Sequence, residues 1–493
     1  LLSDTGHPTD RHETPARAPV RPPASPSTAL QVIETVETVL TALMLAFIFR
    51  AFLVEAFIIP TGSMAHSLLG AHATRTCPTC GWEFDYEVDG QPLCPNCHQR
   101  LADEHPVRKD GDRILVHKWP FAIGGFLAPR RWDVIVFRSP ANPSENFIKR
   151  LVGLPGETLE VVDGDLYIDG RIQRKPQAVQ SVLWFVVFDQ GHFPEGDAAS
   201  PRWLCETAPE DVGGGWTGNQ TRIIHYGGTD AVERRLRFAP ADVRYFQDVY
   251  AYNRGPTLED TPFVGDMRME AEVVFDGGDG AMQWVIVHDG TRFTAELHRD
   301  GELSLTMGRG LRGEAHNVDS TNVPRFVAGR PYLVEFGHLD YRVYLSVDGE
   351  ERLTTRDTDY TPPDIARRHM RRTAPLDLSI AANSLEFELR GLRVDRDVYY
   401  TERAGYARRG TAGLPFVLRD DEYFVLGDNS PGSRDSREWT EAGPHLPAGY
   451  RPGTVRGDQI VGPAALVYLP GLLPIDAAGR WRLPDVGSVR FVR

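Results

Sequence analysis

Apolar and polar residues follow three patterns along this chain. From about Gln31 to Val54 the apolar run is nearly unbroken, with Glu34 and Glu37 near its start and Arg50 near its end. The charge-free centre, Thr38 to Phe49, is shorter than the ~20 apolar residues of a spanning helix; flanking side chains that reach to the interface make up the difference. A transmembrane helix is expected over 31–56, and a buried helix of a soluble domain is the alternative. From Asp112 short β-branched runs bounded by turn residues begin: Ile114–His117, Asp133–Phe137 and Phe147–Gly153 read as strands. Leu159–Val162 and Leu166–Ile168, separated by Asp163-Gly164-Asp165, read as a hairpin. A third pattern fills 178–400, with regularly spaced alternating runs: Ala271–Phe275, Gln283–His288, Phe293–Leu297, Leu303–Met307, Tyr332–Phe336, Arg342–Val347 and Leu385–Leu389. Turns at Asp276-Gly277-Gly278 and Val347–Glu350 separate them, which predicts an antiparallel sandwich. Beyond 400, Glu422–Leu426, Val455–Val461 and Ala465–Tyr468 are expected to complete the sheet begun near 112. The fold class is mostly β after an N-terminal helix.

Length and charge narrow the picture. A chain of 493 residues holds more than one domain. Lys+Arg number 54 against Asp+Glu 68, a net charge of −14, which argues against a nucleic-acid partner. Residues 1–30 are polar and proline-rich and are expected to be a disordered tail. Arg11, Arg17 and Arg21 within it favour an inside N-terminus, with everything past residue 60 outside.

The cysteines add a candidate staple. Cys77-Pro78-Thr79-Cys80 and Cys94-Pro95-Asn96-Cys97 are two Cys-x-x-Cys pairs separated by thirteen residues, while Cys205 stands alone. That spacing lets Cys77, Cys80, Cys94 and Cys97 converge on one tetrahedral structural zinc as a ribbon over 71–100. Two disulfides are the alternative in an oxidising compartment.

Candidate chemistry lies at three distant places. The stretch Phe57–Met64 puts Ser63 behind Gly62, directly after the apolar segment. A serine following Pro and Gly is by itself an ordinary turn residue. It needs a base to act as a nucleophile, and no histidine stands in a suitable motif. Lys149, flanked by Phe147, Ile148, Leu151 and Val152, can serve if burial keeps it neutral. The third place is Gly427–Arg437, GDNSPGSRDSR, a turn dense in polar side chains.

Taken in order, Phe52–Met64, Gly111–Val116, Phe147–Glu157, Tyr423–Arg437 and Ile460–Gly462 resemble the type I signal peptidases (leader peptidases), membrane-anchored Ser–Lys proteases. The resemblance implies Ser63 as nucleophile, Lys149 as general base, Ser433 as the hydroxyl that orients the lysine, and Thr61 as an oxyanion donor beside the Ser63 backbone N–H. It implies supporting pairs Asp428 with Arg150 and Asp435 with Arg437, and a Gly62 that admits the substrate backbone. No catalytic cofactor is implied. The implied partners are signal peptides of exported pre-proteins and membrane lipid, with the catalytic part on the outer face of the cell membrane. One departure is that His66 and Ser67 stand where the family usually has Pro and Thr. On this reading a signal-peptidase-like β core comprises 57–70, 101–177 and 401–493. The ribbon at 71–100 and the stretch 178–400 are insertions, the latter resembling a concanavalin- or laminin-G-like jelly roll over about 242–400, of unknown ligand. The competing reading is a membrane-tethered, lectin-like binding protein with an inert peptidase core.

Overall fold

The computed structural model describes residues 28–48, 52–102, 107–194, 200–206, 215–240, 242–253, 261–310, 314–362, 364–365, 374–401, 409–469, 472–474, 482–484 and 489–493. The expected disordered tail falls outside these residues, apart from its last three. The chain divides into two units, Leu1–Leu53 and Val54–Arg493.

The first unit contains the helix Thr28–Ile48, 21 residues long. At 1.5 Å per residue it measures about 31 Å, close to the hydrocarbon thickness of a bilayer. Its window Gln31–Ile48 is long and apolar enough to cross a membrane, and none of it is buried. Thr35 and Thr38 donate their hydroxyls to the carbonyls of Gln31 and Glu34, both at 2.7 Å, so neither leaves a bare polar group on the apolar surface. The helix starts earlier and stops sooner than the expected 31–56. Val54–Ile58 is instead a strand.

In the second unit, an eight-stranded sheet carries the motifs read above. Its order is Val54–Ile58, Arg113–His117, Ile460–Leu469, Val134–Arg138, Asn146–Gly153, Glu422–Leu426 and Val455–Arg456, with Arg490–Phe491 also pairing to Ile460–Leu469. The C-terminal strands thus insert between N-terminal ones, as the returning strand signals predict. Val54–Ile58 ends the order and has one strand partner among the described residues, Arg113–His117. Ile59, Met64, Leu68, Ile114, Val116, Val134 and Val136 pack into one apolar cluster under this sheet. The Thr158–Val162 and Asp165–Ile168 hairpin lies in a separate four-stranded sheet.

The ribbon is a three-stranded sheet of Glu83–Glu87, His72–Thr76 and Arg108–Lys109, so its third strand lies beyond the expected limit of 100. The alternating runs of 178–400 join a thirteen-stranded assembly that begins at Phe185–Asp189, well before 242. Two long strands, Met267–His288 and Asp377–Arg396, pair along most of their length and form its spine. The turn expected at Asp276-Gly277-Gly278 is absent. Those residues lie inside Met267–His288, where the register shifts between Phe275 and Gly277 and again between Gly278 and Ala281. Bulges of this kind bend a strand without ending it, so a turn-like sequence marks a kink here. The turn at Val347–Glu350 does form, with Asp348 and Gly349 at φ 52° and 78°.

Candidate active site

Pro60 ends the first strand of the eight-stranded sheet, and Gly62–Met64 forms a single 3-10 turn. The turn is closed by Ala65 N donating to Gly62 O at 3.0 Å, and Met64 and Leu68 anchor it in the apolar cluster. Ser63 is left at its rim, 9% exposed. Lys149 comes from the middle of Asn146–Gly153, opposite Ile135 on the neighbouring strand, and is 5% exposed. Lys149 Nζ and Ser63 Oγ lie 2.5 Å apart, although 86 residues separate them in sequence. Burial pulls the lysine pKa down from 10.5 to about 8; the nearby carboxylates of Asp435 and Asp428 oppose that shift.

The polar loop folds against this pair. Arg150 donates through Nε and Nη2 to the two oxygens of Asp428, both at 2.7 Å, and neither side chain has any exposure. Arg437 grips Asp435 the same way, at 2.9 and 2.7 Å, and Asp435 also accepts from Gly427 N at 3.1 Å. Such planar, two-point pairs fix the loop backbone as well as its charge. Ser433 is buried beside the site but makes no hydrogen bond among the described residues; the expected contact with Lys149 is not made. Thr61 precedes the turn in extended backbone, with an exposed side chain that caps nothing.

A Cβ at Gly62 would sit 2.3 Å from the ring of Tyr252, so a side chain from the 178–400 stretch fills that space. Asn429 is a further site residue that the sequence reading assigned no role. Its Nδ2 donates to Gly62 O at 2.9 Å and its backbone N to Ser63 O at 3.1 Å. Its place in the quoted loop, next to Asp428, was the available signal. Nothing in the sequence marks Tyr252.

The four ribbon cysteines converge as the spacing predicts. Cys77 and Cys97, and likewise Cys80 and Cys94, have sulfurs 3.6 Å apart, and all four sulfurs lie within 4.8 Å of one another. Thiolates at ~2.3 Å from a tetrahedral zinc stand roughly 3.8 Å apart, whereas a disulfide needs about 2.05 Å. The donor set therefore fits zinc. Asp165, Asp266 and Asp340 also approach one another, but the Lys175 ammonium already lies 2.9 Å from Asp340 and 2.8 Å from Asp397.

The sequence matches the family described as signal peptidase, peptidase S26, over residues 98–183 and 353–469. Those segments hold Lys149, Arg150, Asp428, Ser433, Asp435 and Arg437; Ser63 precedes them. The chain is 28% identical over 170 residues to signal peptidase I of Pseudomonas aeruginosa, covering 31% of this chain and 46% of that protein. It is 30% identical over 166 residues to signal peptidase I of Leptolyngbya laminosa, covering 32% and 61%. The chain thus spans about half the length of these curated relatives. Among solved structures, a carbohydrate-binding module, CBM66 from Bacillus subtilis, matches with TM-score 0.26 and 9% identity, covering 40% of this chain and 96% of that one. The laminarinase from Rhodothermus marinus gives 0.29 and 12%, covering 44% and 98%. Likeness at that level carries no weight for the function of the insertion. The two matched segments, which hold the lysine and the polar loop, are thus similar to the signal peptidase family, peptidase S26.

Proposed function

We propose that this chain is a membrane-anchored serine endopeptidase that removes signal peptides from exported pre-proteins, with Ser63 as nucleophile and Lys149 as general base. The 2.5 Å contact between Ser63 Oγ and Lys149 Nζ carries the reading. With the amine neutral, the serine hydroxyl donates to Nζ and passes its proton there as Oγ attacks the scissile carbonyl. The carbonyl oxygen becomes an oxyanion, and the Ser63 backbone N–H and Thr61 hydroxyl are its donors. The Lys149 ammonium then protonates the leaving amine. In the second half, Lys149 takes a proton from water as that water attacks the acyl-serine, and returns it to Ser63 Oγ as the acyl C–Oγ bond breaks.

Substrate enters as an extended strand beside Val54–Ile58, whose outer edge offers main-chain groups. Ile59, Ile148 and Met64 belong to one apolar cluster beside Ser63, and small apolar side chains such as those of an Ala-x-Ala sequence are the ones this reading seats there. The Gln31–Ile48 helix anchors the chain in a single pass, with the catalytic part on the outer face, where signal peptides end. Lipid is then a second partner. Cys77, Cys80, Cys94 and Cys97 hold a structural zinc, and the ribbon and the 178–400 sandwich are insertions in the protease core.

The test is cleavage of a pre-protein bearing an Ala-x-Ala site by the purified full chain in detergent or vesicles. Ser63→Ala and Lys149→Ala are expected to abolish it while leaving the fold intact. Variants that cut as fast as the parent refute the Ser–Lys assignment, and a parent that cuts nothing favours an inert core.

A further inference from the structure

Residues 184–352 lie between the two segments that match the family, yet part of this stretch reaches the nucleophile. After the 3-10 turn Val243–Phe246 the chain runs as Gln247–Asn253 along the polar loop. Tyr250 donates its hydroxyl to Asp428 O at 3.1 Å and packs in the same core cluster as Leu426. Asp248 pairs with Arg396 at 3.2 Å and accepts from the Thr401 hydroxyl at 2.6 Å. Thr401 O in turn accepts from Arg437 at 2.7 Å.

Two residues then touch the turn itself or its clamp. Asn253 and Asn429 exchange both amide hydrogen bonds, at 2.9 and 2.7 Å. That reciprocal pair fixes which end of the Asn429 amide faces Gly62, so that Nδ2 donates to Gly62 O. A flipped amide would set one oxygen against another. The Tyr252 ring, 1% exposed, fills the space over Gly62, whose φ is not of the left-handed kind. Glycine is therefore needed at 62 because of the ring, not because of the backbone.

Resting on the proposed Ser–Lys protease, we infer that Tyr252 and Asn253 are positioning residues: the insertion supplies one wall of the clamp that holds Ser63 against Lys149. The hydroxyl of Tyr252 has no partner among the described residues, so its ring is what matters.

Asn253→Ala and Tyr252→Ala test this, with Asn253→Ser as a milder variant and Tyr252→Phe as the control. The first two are expected to lower kcat about 10- to 100-fold with KM nearly unchanged, as displaced reacting groups do. Water admitted to the site raises the Lys149 pKa, so the acid limb of the pH profile moves above about 8. Tyr252→Phe behaves as the parent. Backbone amide exchange at 61–66 and 427–433 quickens in the alanine variants and stays unchanged in the distant sandwich strands. A purely structural role lowers the melting temperature but leaves the kcat and acid limb of the folded fraction alone, and that result overturns the inference. So does parent-like amide exchange at 61–66 in Asn253→Ala and Asn253→Ser. A parent chain that cuts no pre-protein while its variants show the exchange change refutes the protease reading instead.

Discussion

On the proposed mechanism, the buried lysine makes the rate depend on pH in a way that separates this chemistry from a histidine-based site. Lys149 titrates at about 8 instead of 10.5, because removal from water penalises its ammonium more than Asp435 and Asp428 favour it. At pH 7 about a tenth of the molecules then carry the neutral amine, and at pH 8 about half. With an ordinary lysine pKa the neutral fraction at pH 7 is roughly 0.03%, so burial supplies on the order of a few hundred-fold more base, the equivalent of roughly 3 kcal/mol. The sign follows directly: raising the pH deprotonates the amine and turns the base on. The assay is kcat/KM for a fluorogenic peptide with an Ala-x-Ala site, measured from pH 6 to 10 at fixed ionic strength. The expected profile climbs about tenfold per unit below pH 8 and levels above it. A flat profile from pH 6 to 9, or a break near 6.5, refutes lysine as the base. A break near 10.5 refutes the desolvation on which the mechanism rests.

Other parts of the site give sharp expectations. Arg150→Met leaves the Asp428 carboxylate buried without its partner, which costs about 3–5 kcal/mol and lowers the melting temperature; an unchanged melt shows that the pair is dispensable. Gly427→Ala places a Cβ 2.3 Å from Ser433 Oγ and 2.5 Å from Ser63 O, so kcat is expected to collapse, and parent-like turnover contradicts the packing described. Ser433→Ala removes a hydroxyl without a partner among the described residues, so the melt stays put while kcat falls if that hydroxyl orients the lysine during turnover. Metal analysis is expected to find one zinc per chain, lost in Cys77→Ser; a metal-free parent refutes the zinc ribbon.

What the sequence revealed follows the range over which each signal acts. The Lys149 strand, the Asp163–Asp165 hairpin turn and the cysteine spacing are local, and local chemistry decides them. The ion pairs Arg150–Asp428 and Arg437–Asp435 were legible only through the family resemblance, because 278 residues separate the first pair. The long strand Met267–His288 was read as two because its centre carries Asp276-Gly277-Gly278, a turn signal that pairing with Asp377–Arg396 overrides. The start of the thirteen-stranded assembly was placed too late for a similar reason. Phe185–Asp189 and Ile223–Gly228 are too short to announce their partner, Asp377–Arg396, far down the chain.

The 178–400 stretch was the largest blank, and its relation to the Gly62–Met64 turn shows why. Glycine at 62 reads in sequence as room for a substrate, since absence of a side chain does not say what fills the space. In the fold Tyr252 fills it, and Asn96 of the ribbon reaches the same insertion: its amide donates to His192 O at 2.9 Å and its carbonyl oxygen accepts from Asp189 N at 2.7 Å. Glu87, at the end of the ribbon strand Glu83–Glu87, donates its backbone N to Tyr252 O at 2.8 Å. The ribbon meets Tyr252 through a backbone hydrogen bond, and the ring of the same residue meets the Gly62–Met64 turn. An order imposed on the cysteine knuckles constrains the ring that lies over Gly62, so loss of metal is expected to slow Ser63 chemistry even though no thiolate touches it.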